Sequence, residues 1–248
     1  MFESIVNFFY VILYQPLFNL LIVFYNYIPG NDFGIAVIAL TIAIRLVLYP
    51  TSVKAVNSQR GLQKLQPQMQ EVQRKYKDDK EKQAKEILNL YKKEKINPFS
   101  GLFLALIQLP ILIALYQVFW NGLKVTELKN VLYSFILNPG QINPVFFHFI
   151  DLSKPNLILA VLAGLAQYFQ TKMLTPKSSP KNGGQNKGVD FSQVMQKQML
   201  YFFPVFTVII LMGLPSALGL YWTVSGLFSI IQQYLIFKKY DKAEVVKA

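Results

Sequence analysis

Phe33-Gly-Ile-Ala-Val-Ile-Ala-Leu-Thr-Ile-Ala-Ile-Arg45-Leu-Val-Leu-Tyr-Pro50 decides the fold class, because its one charge stands in an otherwise apolar run. A run of about 18 or more such residues is long enough to cross a hydrocarbon core roughly 30 Å thick. A helix on the surface of a soluble core would instead show a polar face every three or four residues. The same reading applies elsewhere in the 248 residues, 53% of which are hydrophobic. Membrane spans are expected at 33–53, 98–120, 156–174, 198–214 and 216–237. The last two join through Gly213-Leu-Pro215, a glycine and proline with no polar spacer, which predicts a tight antiparallel helical hairpin.

Charge orients the bundle. The segment 54–97 carries twelve basic residues from Lys54 to Lys95 against six acids. Lys177, Lys181, Lys187 and Lys197 lie in 175–197, and Lys238, Lys239, Lys242 and Lys247 lie in the tail 238–248. Residues 1–32 carry no lysine or arginine, and 121–155 carries three lysines. Basic segments stay on the cytoplasmic side, so the N-terminus is expected outside and the C-terminus inside. The formal charge of +12 thereby reads as a membrane-facing asymmetry rather than a nucleic-acid footprint. Acids alternate with the bases, and no aromatic stacking set accompanies them.

Three segments lie outside the spans. In 1–32, Gln15-Pro16 divides an apolar stretch whose aromatics suit the headgroup zone, so an outer interfacial helix is expected, with a sixth span as the alternative. In 54–97, Leu62, Leu65, Met69, Val72 and Tyr76 recur at helical spacing, as do Ala84, Ile87, Leu88 and Tyr91. With Lys77-Asp-Asp-Lys80 between them, they predict a cytoplasmic helical hairpin with facing stripes. The Pro/Ser/Gly/Asn/Lys-rich segment within 175–197 is expected to be a flexible cytoplasmic loop.

The residue pattern excludes most chemistry. There is no cysteine and one histidine, His148, so neither a thiolate nor a His-rich metal site can be assembled. No Asp or Glu falls inside an expected span, which argues against an intramembrane aspartyl protease and against carboxylate-coupled transport. No catalytic residue, cofactor or metal is expected. What remains is Arg45, an arginine within a span that costs roughly 2.5–3.5 kcal/mol on insertion scales. Snorkelling to the inner headgroups is the plain alternative. Its uncharged polar company includes Thr41, Gln108, Tyr221 and Ser225, which should face the bundle interior.

On these residues the chain resembles the YidC/Oxa1/Alb3 family of membrane protein insertases. Tyr14-Gln-Pro-Leu-Phe-Asn19, Gly34-Ile-Ala with Arg45-Leu-Val-Leu-Tyr-Pro50, and Leu65-Gln-Pro67 with Tyr76-Lys-Asp-Asp79 carry the likeness. So do Ile96-Asn-Pro-Phe-Ser-Gly101 with Ile107-Gln-Leu-Pro-Ile-Leu-Ile-Ala-Leu-Tyr116, Leu214-Pro-Ser-Ala-Leu-Gly-Leu-Tyr-Trp222 and Ile230-Ile-Gln-Gln233. The resemblance implies an all-α integral membrane protein of the bacterial plasma membrane. Its five-helix bundle would hold a hydrophilic groove open to cytosol and lipid and closed to the outside. Arg45 and Thr41 match groove positions, Tyr221 and Trp222 an aromatic pair facing the groove, and Leu109, Leu112 and Leu115 a hydrophobic slide. The implied partners are nascent membrane proteins, the lipid bilayer, the Sec translocon and the ribosome. A small anion-selective channel or transporter, and an assembly scaffold that inserts nothing, are the rival readings.

Overall fold

The computed structural model describes residues 2–97, 99–122, 131–175 and 198–245, and these are mostly helical. The expected loop within 176–197 and the end of the tail lie outside the described residues. The N-terminal segment runs as α1 (Phe2–Phe9), a π-helical turn (Tyr10–Tyr14) and α2 (Gln15–Tyr27). Gln15-Pro16 therefore does not divide it. Pro16 sits in the first turn of α2, where its missing N–H is not needed. The π turn ahead of it re-routes the bonding, with the Gln15 N–H donating to the Tyr10 carbonyl.

Four helices follow: α3 (Phe33–Val47), α4 (Tyr49–Lys75), α5 (Lys80–Lys93) and α6 (Ser100–Gly122). Asp32 caps α3 by accepting from the Ile35 N–H. At Leu48 the chain turns by 66° into α4, so α3 ends six residues before the expected boundary at 53. A short antiparallel ladder, β1 (Val145–Phe146) with β2 (Ile150–Asp151), departs from the all-α expectation. Then come α7 (Leu157–Leu174), a π turn (Gln198–Phe202) with α8 (Phe203–Leu211), and α9 (Ser216–Val245).

Among the described residues, two helical stretches, Val6–Tyr27 and Leu157–Leu174, are by themselves long and apolar enough to cross a membrane. The bent pair α3–α4 makes a third if taken as one span, and Leu106–Trp120 and Gln198–Leu211 are shorter apolar helices. Their outward faces carry large apolar side chains such as Ile158, Phe169, Val205 and Ile209. In a soluble protein this surface would aggregate, whereas lipid solvates it.

The core runs along α9, which packs against α7 and against α3, and α2 and α6 add to it. Phe18, Leu21, Phe33, Leu40, Phe119 and Leu218 are almost wholly enclosed. Phe33 and Phe119 meet edge to face at 6.3 Å, a favoured aromatic geometry that draws α3 and α6 together. Small residues let α7 approach its neighbours closely, and Thr207 of α8 donates to Gln167 Oε1 at 2.6 Å. A Cβ on Gly164 would fall 2.5 Å from the Val208 side chain and 3.0 Å from the Pro204 carbonyl of α8. One on Gly226 would fall 2.8 Å from Ala166 Cβ. Such small residues let helices pack closely in lipid, where no hydrophobic drive favours helix on helix over helix on acyl chain.

Side chains of α2 hold the segment after α6. Asn19 Nδ2 donates to the Val131 carbonyl at 2.9 Å, and its Oδ1 accepts from the Tyr133 N–H. Asn26 Nδ2 donates to the Leu137 carbonyl, and the Tyr25 hydroxyl accepts from the Asn143 N–H. The N–H groups of Ser216 and Ala217, orphans of the first turn of α9, donate to the carbonyls of Lys154 and Leu152.

Gly164→Val should lower the thermal unfolding midpoint of the detergent-solubilised protein. Overpacking of this kind costs about 1–3 kcal/mol. Val161→Leu, on the exposed face of the same helix, should leave the midpoint unchanged.

Candidate functional site

Arg45 occupies the last turn of α3. A cation there gains about 0.3–1 kcal/mol from the helix carbonyls, which does not offset roughly 2.5–3.5 kcal/mol for an arginine within a span. The rest must come from partners. Arg45 Nε donates to Ser225 Oγ of α9 at 2.7 Å, and Nη2 donates to the same oxygen. Tyr221, one turn before Ser225, is its other electrostatic neighbour, and among the described residues no carboxylate stands beside it. The guanidinium offers five N–H donors. Those beyond Ser225 are not enclosed, since Arg45 is only half-buried and none of its nitrogens is a buried orphan.

Tyr221 ties this pair to α6. Gln108 Nε2 donates to the Tyr221 hydroxyl at 2.5 Å, and the ring is 2% exposed. Four of the predicted residues, Arg45, Gln108, Tyr221 and Ser225, thus form one chain across α3, α9 and α6. Thr41 does not join it. Its side chain is buried and its hydroxyl donates back to the Val37 carbonyl at 2.6 Å, satisfied within its own helix. Trp222 packs partly buried against the core.

The three slide leucines do not share a face. Leu109 is 55% exposed, Leu112 is partly buried and Leu115 is fully buried. Leu115 cannot touch an incoming chain without moving, because at helical pitch it points away from Leu109. The open face of α6 is instead Phe103, Leu106, Leu109, Ile113, Tyr116 and Trp120.

Other contacts were not legible from pattern alone. Below Ser225, α9 buries Ser229, Gln232 and Gln233, and Ser52 Oγ of α4 donates to Gln232 Oε1 at 2.8 Å. Ser52 lies just past the 66° bend, so its reach to α9 depends on that turn. Gln232 Nε2 and Gln233 Oε1 are buried without a hydrogen-bond partner. At the root of the hairpin, Gln63 Nε2 donates to the Leu174 carbonyl at the end of α7, and the Arg60 guanidinium lies 4.6 Å over the Phe237 ring. Proximity of Gln63 to its glutamine-rich neighbours in sequence concealed that role. Farther out, α5 buries no side chain, and Tyr91 reaches Met69 Sδ at 3.6 Å.

A helical membrane protein with a half-open arginine held by a serine hydroxyl, in a polar set shared by three helices, is the class that fold and site define. Residues 23–243 match the family described as 60Kd inner membrane protein. The chain belongs to that family, the YidC/Oxa1 family. It is 33% identical over 211 residues to proteins named membrane protein insertase YidC from Francisella tularensis subsp. novicida strain U112, subsp. tularensis strain WY96-3418 and subsp. holarctica strain LVS. In each case the match covers 85% of this chain and 33% of the relative, so the chain spans about a third of the length of these curated relatives.

Gln108 and Tyr221 should be coupled. A double-mutant cycle of Gln108→Leu and Tyr221→Phe, read by unfolding in detergent, should give an interaction of about 1 kcal/mol. Additive single effects would mean that the two helices are held elsewhere.

Proposed function

We propose that this chain is a membrane protein insertase, which moves nascent hydrophobic segments and their short polar tails from the cytosol into the bilayer. The observation that carries this reading is Arg45, fixed by Ser225 on one side and open on the other. Its open N–H groups attract an acidic or polar tail, and the hydroxyls and amides of α9 and α6 lower the desolvation cost of drawing that tail below the surface. The client's apolar segment then moves along the exposed face of α6 into lipid. Burial of about twenty apolar residues is strongly downhill at roughly 25 cal/mol per Å², so no nucleotide is required. The role is non-enzymatic.

Five spans, formed by α3, α6, α7, α8 with its π turn, and α9, make up the bundle. The N-terminus lies outside and the C-terminus in the cytosol of a bacterial plasma membrane. The reading of α2 as an outer helix is supported by Gln15, Asn19, Tyr25 and Asn26, which all bond residues 131–143. These anchors span most of α2, whereas a crossing helix would meet an outer loop at one end only. Closure to the outside is supported by the Phe33–Phe119 contact, some 18 Å along α3 from Arg45 at 1.5 Å per residue. Clients arrive from the ribosome, and the chain acts alone or beside the Sec translocon. The hairpin meets the client first. Its outer half has little buried area and belongs to the low-stability end of the molecule.

In pure liposomes, with protease protection of a short single-span client as readout, Arg45→Lys should retain most insertion, since a diffuse attraction needs charge more than fork geometry. Arg45→Ala should lose clients with acidic tails, and Arg45→Glu should be worse still. The Ala defect should shrink as the tail is changed from acidic through neutral to basic. Equal insertion by all variants would leave Arg45 a snorkelling residue and overturn the mechanism. Replacing 68–91 by a short Gly/Ser linker should give a folded protein that inserts poorly. This keeps Arg60 and Gln63, which dock the root.

A further inference from the structure

The turn that joins β1 to β2 breaks a local rule. Phe147 and His148 both lie in the left-handed region, with φ of 47° and 65°. Hairpin turns with this backbone favour Asn and Gly, and a bulky ring there is an outlier. Two features hold the turn in place. Asp32, while capping α3 with one oxygen, accepts from the Phe147 N–H at 2.7 Å with the other. The Phe146 ring also covers Gly34, where a Cβ would fall 2.0 Å from the ring. The tip is thereby pinned to the first turn of α3, at the end of its apolar run.

What the tip displays is apolar. Phe149 is 89% exposed and Phe147 57%. Tyr27, Phe135 and Leu137, at 78%, 80% and 75%, are exposed on the neighbouring end of α2 and the segment that it holds. A strained turn carrying exposed aromatics is not explained by turn chemistry or by packing. Their level is explained by lipid, since aromatic side chains concentrate where a bilayer meets water.

We propose that Phe147 and Phe149 are a lipid anchor, seated in the headgroup and upper acyl region of the outer leaflet and fixing the height of α3, and so of Arg45, in the membrane. This rests on the orientation given under Proposed function but not on insertase activity. The chain has no cysteine, so single nitroxide labels need no background changes. Phe149→Cys is compared in phospholipid vesicles with Asp78→Cys, on the exposed hairpin turn, and Ile158→Cys, on the exposed face of α7. Collision with oxygen and with a water-soluble nickel chelate is measured for each. At Phe149 the nickel collisions should be several-fold fewer than at Asp78 and the oxygen collisions higher, approaching Ile158. Nickel access equal to that at Asp78 would overturn the anchor. So would protection from both reagents, whether dilution with unlabelled chain relieves it, which marks a second copy over the tip, or not, which marks packing within the chain. Because the label reads depth and not insertion, failure here and failure of the Arg45 series are distinguishable.

Discussion

A guanidinium set into an apolar helix must be solvated by something, and the rest of the bundle follows from how that demand is met. Ser225 supplies an oxygen from α9, and Tyr221 beside it brings in Gln108 from α6. These contacts bind three helices that are not consecutive in sequence. A carboxylate in the same place would have neutralised Arg45 and closed the site, since a desolvated ion pair has little affinity left for a visiting anion. The Ser225 hydroxyl solvates the charge without cancelling it. On the proposed function, that difference separates a site that receives a polar tail from a fixed structural pair.

The two ends of the bundle are built differently. Opposite the hairpin, asparagine, tyrosine and aspartate side chains from α2 and the start of α3 bond the backbone of 131–147, and aromatic rings fill the space between α3 and α6. Backbone groups bound in this way cannot open singly without leaving orphaned donors. On the hairpin side, Gln63 and Arg60 dock the root, α4 buries no residue beyond Leu65, and α5 buries none. On the proposed function, a bonded end opposite the hairpin and a thinly packed hairpin suit admission from the hairpin side.

Lipid also explains choices that would be faults in water. Large exposed side chains on α6, α7 and α8 need no partner, and glycines in α7 and α9 allow backbones to meet where large residues would hold them apart. The short strand pair and its strained aromatic turn belong to the same environment.

The sequence by itself determined the membrane class, the two helices with apolar stripes on either side of Lys77-Asp-Asp-Lys80, the turn at Gly213-Leu-Pro215 and the membership of Arg45, Gln108, Tyr221 and Ser225 in a polar set. Apolar run length, helical periodicity and the cost of a charge in hydrocarbon are local properties, readable residue by residue. It misread Gln15-Pro16 as a break, because a π turn placed the proline in a first turn where it is tolerated. Only the tertiary structure decided which polar residues meet. Thr41 turns back on its own backbone, Leu115 faces the core while Leu109 faces out, and Ser52 reaches Gln232 only because the chain bends at Leu48. Helix rotation and bend angle are set by how neighbouring helices pack, and no single segment carries that information.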